Sequence, residues 1–198
     1  MSVDSYLGIE QEYTSEHKQS GSKFFGYLFP VFNNEAFEDK IKELKALYPD
    51  ATHVCSACVL GLDREFQKFS DDGEPGNSAG RPILYALLSK NITNVGCAVV
   101  RYYGGKKLGI PGLIEAYGGT TEASIASAKF KTLVIKTTVK CTISSAKSYL
   151  LYNYLAKQQE IEYLVDNEEF IIKIPKSMTT ALLTELKNID TLAVLDEV

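Results

Sequence analysis

Apolar residues crowd the stretch Lys23-Phe24-Phe25-Gly26-Tyr27-Leu28-Phe29-Pro30-Val31-Phe32, which reads as an aromatic-rich strand with Pro30 favouring an edge or a bend. Helical spacing follows: Phe37, Ile41, Leu44 and Leu47 form one stripe before Pro49, and Asn33 or Asn34 can cap it. His53 to Gly61 is a nearly continuous apolar run, the signature of a buried strand, and Glu65 to Ser70 is its expected antiparallel neighbour. Ser78 to Lys90 reads as a helix with Ile83, Leu84, Leu87 and Leu88 on one side and Pro82 in its first turn. Asn94 to Tyr103 reads as a second buried strand that brings Arg101 to its end, and a helix rich in small residues follows from about Gly112 to Ala128. Ahead of all this, Glu10 to Gly21 is polar without a period and is expected to be a loosely packed lead-in.

The pattern shortens after Phe130. Lys131 to Lys140 reads as a β-branched strand, Ser144 to Gln158 as a helix, Ile161 to Val165 and Glu169 to Ile174 as strands joined at Asp166-Asn167, Ser177 to Asn188 as a helix, and Thr191 to Leu195 as a last strand. That order, β-α-β-β-α-β, is the ferredoxin-like split motif. The expected fold class is therefore α+β, with one domain over residues 1–130 and a ferredoxin-like domain over residues 131–198.

Composition narrows the setting. The start, Met1-Ser2-Val3-Asp4-Ser5-Tyr6-Leu7, has no basic or apolar leader, and no run approaches the roughly 18 apolar residues of a membrane span, so a cytoplasmic protein without membrane contact is expected. Cys55, Cys58, Cys97 and Cys141 sit in apolar surroundings and read as reduced structural thiols. Cys55 and Cys58 have C-x-x-C spacing, but on a strand residues three apart face opposite sides and cannot share an ion. A net charge of -4 argues against a generic grip on nucleic acid. The charge is uneven, however: from Pro75 to Ile114 there is no Asp or Glu, while Arg81, Lys90, Arg101, Lys106 and Lys107 all fall there.

Candidate chemistry concentrates in two glycine-rich loops, Asp71-Asp72-Gly73-Glu74-Pro75-Gly76-Asn77-Ser78-Ala79-Gly80-Arg81-Pro82 and Arg101-Tyr102-Tyr103-Gly104-Gly105-Lys106-Lys107-Leu108-Gly109. Glycine clusters weaken regular structure by about 0.5–1 kcal/mol per residue and persist where backbone must turn or approach something closely. No packing need for two such loops is visible in the pattern, so they are read as a site. Arg101 leads, at a strand end beside a glycine turn; its guanidinium can pair with Asp71, Asp72 or Glu74 and lock the loops together, or it can meet a phosphate. Lys106 and Lys107, with the amides of Gly104 and Gly105, could complete an anion nest.

Other chemistries find less support. The loops lack the G-x-x-x-x-G-K-[ST] phosphate loop and the dinucleotide fingerprint. Asp71, Asp72 and Glu74 could hold Mg²⁺ through one or two carboxylates, yet Asp-Gly and Glu-Pro-Gly are turn sequences in their own right, and no metal or cofactor is assigned. Tyr102 and Tyr103 resemble a base-stacking platform, but neighbours on a strand face opposite sides, leaving one of them available. His17 and His53 have no evident nucleophile beside them, so no catalytic residue is assigned.

The two loops, the helix and strand between them, and the later Gly112-Leu113 and Ala116-Tyr117 together resemble the IMPACT/YigZ family over roughly Ser22 to Ala128. The C-terminal unit resembles the second domain of its two-domain bacterial members. The resemblance implies an N-terminal domain like domain 2 of ribosomal protein S5 and a C-terminal domain like the ferredoxin-like domains of elongation factor G, neither of which implies an active site. Eukaryotic IMPACT proteins restrain the starvation-response kinase that phosphorylates an initiation factor. For this chain the resemblance points to contact with RNA, the ribosome or a translation factor. The chain departs from the family's usual pattern at Gly76-Asn77-Ser78 and at Ile110-Pro111, where Pro111 removes an amide from the second loop.

Two functions are carried forward, ahead of a third in which the loops of a protein–protein adaptor bind a partner chain and no anion. One is a non-enzymatic, translation-linked binding protein using Asp71–Arg81 and Arg101–Gly109 as one face and the C-terminal domain as a second contact. The other is an enzyme or binder of a phosphorylated metabolite or nucleotide held at Arg101 to Gly109.

Overall fold

A computed structural model describes residues 4–158, 161–166, 168–189 and 194–197. The chain forms two compact units, one over Tyr6–Leu133 and the other beginning at Val134 and taking in Asp4 and Ser5.

Strand β1 (Ser5–Gly8) pairs with β7 (Lys131–Val134); in the first unit, β2 (Tyr13–Gln19), β3 (Ser22–Pro30), β6 (Val95–Tyr102), β4 (His53–Leu60) and β5 (Phe66–Ser70) form one sheet in that spatial order. All its pairings are antiparallel. Helix α1 (Asn34–Leu47) packs on one face, and α2 (Gly80–Ser89) and α3 (Gly109–Ser127) pack on the other. The central strands β4 and β6 are buried on both faces, which explains their continuous apolar runs. Asn33 caps α1 through its side chain, which accepts from the amide of Ala36 at 2.8 Å, and Phe37, Ile41 and Leu44 are buried while Leu47 is exposed.

The stretch expected to be a loose lead-in is instead strand β2, paired with β3 from Tyr13↔Leu28 to Gln19↔Ser22. Beyond Tyr13, its inward positions are Ser15, His17 and Gln19, so no apolar period betrays it. Ser15 Oγ donates to the carbonyl of Thr120 at 2.9 Å and lies 2.7 Å from Ser124 Oγ, so β2 is held to α3 by hydroxyls. Gly26 permits this close approach, because a Cβ there would lie 2.5 Å from Ser124 Oγ and 2.7 Å from Ser15 Oγ.

Cys55 and Cys58 belong to the cores on opposite faces of the sheet, as their spacing on a strand requires. All four thiols are free and buried. Burial pushes Cys58 and Cys141 up to about 11 and Cys97 up to about 12, with Cys55 raised as well. A thiol reagent at pH 8 is expected to modify none of them in the folded protein and all four after unfolding. Because the folded pKa values are raised, the thiols favour folding fully below about pH 9 and lose that contribution as pH climbs toward 11 to 12.

In the second unit, the expected single strand Lys131 to Lys140 is interrupted at Ile135, and β8 (Lys136–Thr142) starts beyond it. It continues with α4 (Ser148–Leu155), β9 (Glu162–Asp166), β10 (Glu169–Pro175), α5 (Thr179–Ile189) and β11 (Val194–Glu197). The sheet order β11-β8-β10-β9 with two crossing helices is the split β-α-β-β-α-β arrangement. The expected start of the last strand at Thr191 lies outside the described residues. Val139, Cys141, Phe170, Ile172 and Ile174 pack against Leu151 and Leu155 of α4 and Leu182 and Leu186 of α5. Asp4 joins this unit: its carbonyl accepts from Ile135 at 3.0 Å and its carboxylate from the amide of Ser177 at 2.9 Å. No helix among the described residues is long and apolar enough to cross a membrane.

Candidate functional site

Strand β6 ends at Tyr102, so Arg101 lies where the central strand meets the second glycine loop. Its side chain turns inward. Arg101 is 5% exposed, pairs through Nη1 with Glu74 Oε1, and donates through Nη2 to Ser22 Oγ at 3.3 Å. The guanidinium lies 5.4 Å from the Phe24 ring and 5.5 Å from the Tyr103 ring. Of the partners the sequence leaves open, Glu74 is the one in contact.

Glu74 is buried and also accepts from the Tyr117 hydroxyl at 2.8 Å. Burial, and then the neighbouring Cys55 and Glu74, raise the pKa of Tyr117 far above the ordinary phenol value, which keeps it a donor. Removing that donor leaves Glu74 one hydrogen bond short, so Tyr117→Phe is expected to cost about 1–2 kcal/mol, read from the urea unfolding midpoint.

The other two carboxylates face elsewhere. Asp71 accepts from the amides of Asn77 at 2.8 Å, Ala79 at 3.0 Å and Gly80 at 2.8 Å. It thus caps α2, whose N-cap residue Ala79 has no side chain to do so, and places negative charge at the helix's positive end. Asp72, at φ 43°, accepts from Val54 N at 2.7 Å and Lys45 Nζ at 2.6 Å, while its carbonyl accepts from His53 Nδ1 at 2.6 Å. Because a carbonyl only accepts, His53 Nδ1 is the donor in this contact. His53 Nε2 then lies 4.0 Å from Glu74 Oε2. Asp71, Asp72 and Glu74 serve three different neighbours, and no group of three or more His, Cys, Asp or Glu among the described residues is placed to hold a metal ion.

The second loop is fixed at its base and open at its tip. Gly104 donates to Ser22 Oγ at 3.2 Å, and Tyr103 N donates to Thr52 Oγ1 at 2.9 Å. A Cβ on Gly104 would lie 1.9 Å from the carbonyl carbon of Gly21, so this glycine does answer a packing need that the sequence pattern concealed. Gly105 has φ 81° with open space around it, and Gly109 has φ 71°, so both supply left-handed backbone. Lys106 and Lys107 are exposed between them. Tyr102, the last residue of β6, packs at the edge of the α1-side core with its ring 6.2 Å from Phe25, whereas Tyr103, just beyond the strand, is 45% exposed. Pro111 falls in the first turn of α3, where the lost amide would have had no helical partner.

Thus the structure joins Arg101, Glu74, Ser22 and Tyr117 in one buried cluster and leaves Arg81, Tyr103, Gly105, Lys106 and Lys107 exposed. Arg81 lies over the Tyr85 ring at 5.8 Å. The anion nest drawn from sequence loses two members to internal bonds, the Arg101 guanidinium and the Gly104 amide. Ser22, Tyr117 and Lys45 are the partners sequence reasoning missed; Ala116-Tyr117 figured in the family pattern, but nothing in its spacing tied it to Glu74.

Residues 20–125 match the family model described as the Impact N-terminal domain. The chain is 37% identical over 143 residues to the IMPACT family member YigZ of Escherichia coli, covering 70% of each. It is 30% identical over 187 residues to an IMPACT family member of Haemophilus influenzae, covering 91% of this chain and 90% of that one. A crystal structure of a protein described as hypothetical matches with a TM-score of 0.72 at 25% identity, over 98% of this chain and 97% of the other. With residues 20–125 matched to that domain and relatives 30–37% identical over 70–91% of its length, the chain belongs to the IMPACT family.

Proposed function

We propose that the protein is a non-enzymatic regulator of translation that contacts the ribosome or its RNA in the cytoplasm through the exposed tip Tyr103–Lys107. The observation that carries this reading is the inward turn of the site: Arg101 and Tyr117 both donate to the buried carboxylate of Glu74, while Tyr103, Lys106 and Lys107 are exposed. Ion-paired, buried groups are poorly placed to act on a substrate. An exposed aromatic beside two lysines on a loop fixed at its base offers stacking and phosphate contact at little ordering cost. The family's eukaryotic members restrain a kinase acting on translation initiation, which supports the same setting.

The test is co-sedimentation with ribosomal subunits across a salt series, comparing the protein with its Lys106→Ala, Lys107→Ala double variant. Each lysine–phosphate contact adds about 0.7–0.9 to the slope of log affinity against log salt. The double variant is expected to bind at least tenfold more weakly near 0.1 M salt, to lose about 1.5 from the slope, and to unfold within about 0.5 kcal/mol of the parent. Equal binding by both proteins would overturn the proposal.

A further inference from the structure

Strand β9 is the outer strand of the second unit's sheet, with β10 as its neighbour. Its middle is Tyr163-Leu164-Val165, and Leu164 is 72% exposed. Tyr163 and Val165 are partnered in register with Ile172 and Phe170 and so lie on the helix-bearing face, while Leu164, opposite Ile171, lies on the other. Tyr152 of α4 touches both Tyr163 and Phe170, with ring centroids 6.1 and 5.1 Å apart, and Tyr149, one turn earlier, is exposed. A strand edge that pairs with no further strand among the described residues, with apolar side chains on both faces and a tyrosine packed on one of them, is the setting in which an added strand gains backbone hydrogen bonds and side-chain contacts together.

Charge selects the occupant. From Gln158 to Ile172 the sequence holds Glu160, Glu162, Asp166, Glu168 and Glu169 and no Lys or Arg. Lys136 pairs with Glu162 and Lys173 stands opposite it in the ladder, so the uncompensated acids are Asp166 and Glu168, exposed at the other end of the strand. A second copy is a poor fit. Antiparallel pairing about Leu164 would set Glu162 against Asp166 of the other chain at both ends, and pairing about Val165 would set Glu162 against Glu168; directly opposed like charges destabilise a strand pair. Nucleic acid meets the same acids. We propose that the β9 edge, with Tyr152 packed against it and the exposed Tyr149 one helical turn away, takes up an extended segment of a partner protein, apolar in its centre and flanked by lysine or arginine, as a fifth strand of the sheet.

The probe is a displayed library of random nine-residue peptides selected on the full-length protein. The strongest binders are then synthesised with and without N-methylation at alternate residues and measured by fluorescence anisotropy. Enriched sequences should carry β-branched or aromatic centres between basic flanks. Their affinity should fall at least tenfold on N-methylation, which removes the pairing amides, and at least tenfold against Leu164→Lys. Leu164 is mostly exposed, so this variant should unfold at the parent's midpoint; Tyr149→Ala, on a different element, should weaken binding several-fold as an independent check. Enrichment of acidic peptides, indifference to N-methylation, or equal binding to Leu164→Lys would overturn the proposal. So would a selection that yields no binder. Sedimentation showing a dimer of the protein that Leu164→Lys dissociates would also overturn it, in favour of a second copy.

Discussion

Replacing Arg101 by methionine should destabilise the first unit by about 3–5 kcal/mol, a fall in its thermal midpoint on the order of 10–20 °C. The cause is what remains. Glu74 is buried and loses the guanidinium that compensates its charge, keeping only the Tyr117 hydroxyl as a donor. The cost should be recovered in large part by adding Glu74→Gln, which removes the stranded charge yet keeps a carbonyl oxygen to accept from Tyr117. Differential scanning calorimetry of the parent, Arg101→Met and the double variant checks both steps. A single variant as stable as the parent would mean that the pair stabilises nothing.

Gly104→Ala should cost about 3 kcal/mol, because the new Cβ would lie 1.9 Å from the carbonyl carbon of Gly21 and 2.3 Å from the amide of Ser22. Both obstacles are backbone, so no rotamer relieves the clash, and the loop must lift off the β2–β3 turn. The neighbouring glycines provide graded controls. Gly105→Ala meets open space but keeps φ at 81°, so about 1–2 kcal/mol is expected from left-handed strain. Gly76→Ala meets open space without a positive φ and should be close to neutral. Urea unfolding of the three variants should rank them in that order.

How much of this was legible in the residues depends on whether apolar side chains or polar ones do the work. The buried strands β4 and β6 and the helices behind them announce themselves through apolar runs and stripes, and the β-α-β-β-α-β order of the second unit follows from the same signal. Strand β2 does not, because after Tyr13 its inward positions are Ser15, His17 and Gln19, and Ser15 meets α3 through hydroxyls where an apolar side chain would be expected. The loops were legible as a special place, and Arg101 as its leading residue. Its role was not: three carboxylates in Asp71-Asp72-Gly73-Glu74 are equivalent as sequence. Only the folded chain separates the helix cap Asp71, the β4 clamp Asp72 and the arginine partner Glu74. Glycine was read as freedom for a ligand at Gly104, where the close approach is to the chain's own Gly21.

The claim that ties these observations together is that Arg101 builds the site while Lys106 and Lys107 make the contact. The measurement that tests it most directly is co-sedimentation with ribosomal subunits of the Glu74→Gln, Arg101→Met protein beside the Lys106→Ala, Lys107→Ala protein, each first shown to be folded. The account predicts that the first sediments with the subunits as the parent does and the second stays in the supernatant. Loss of binding in the first with retention in the second would contradict it and return the contact to the arginine.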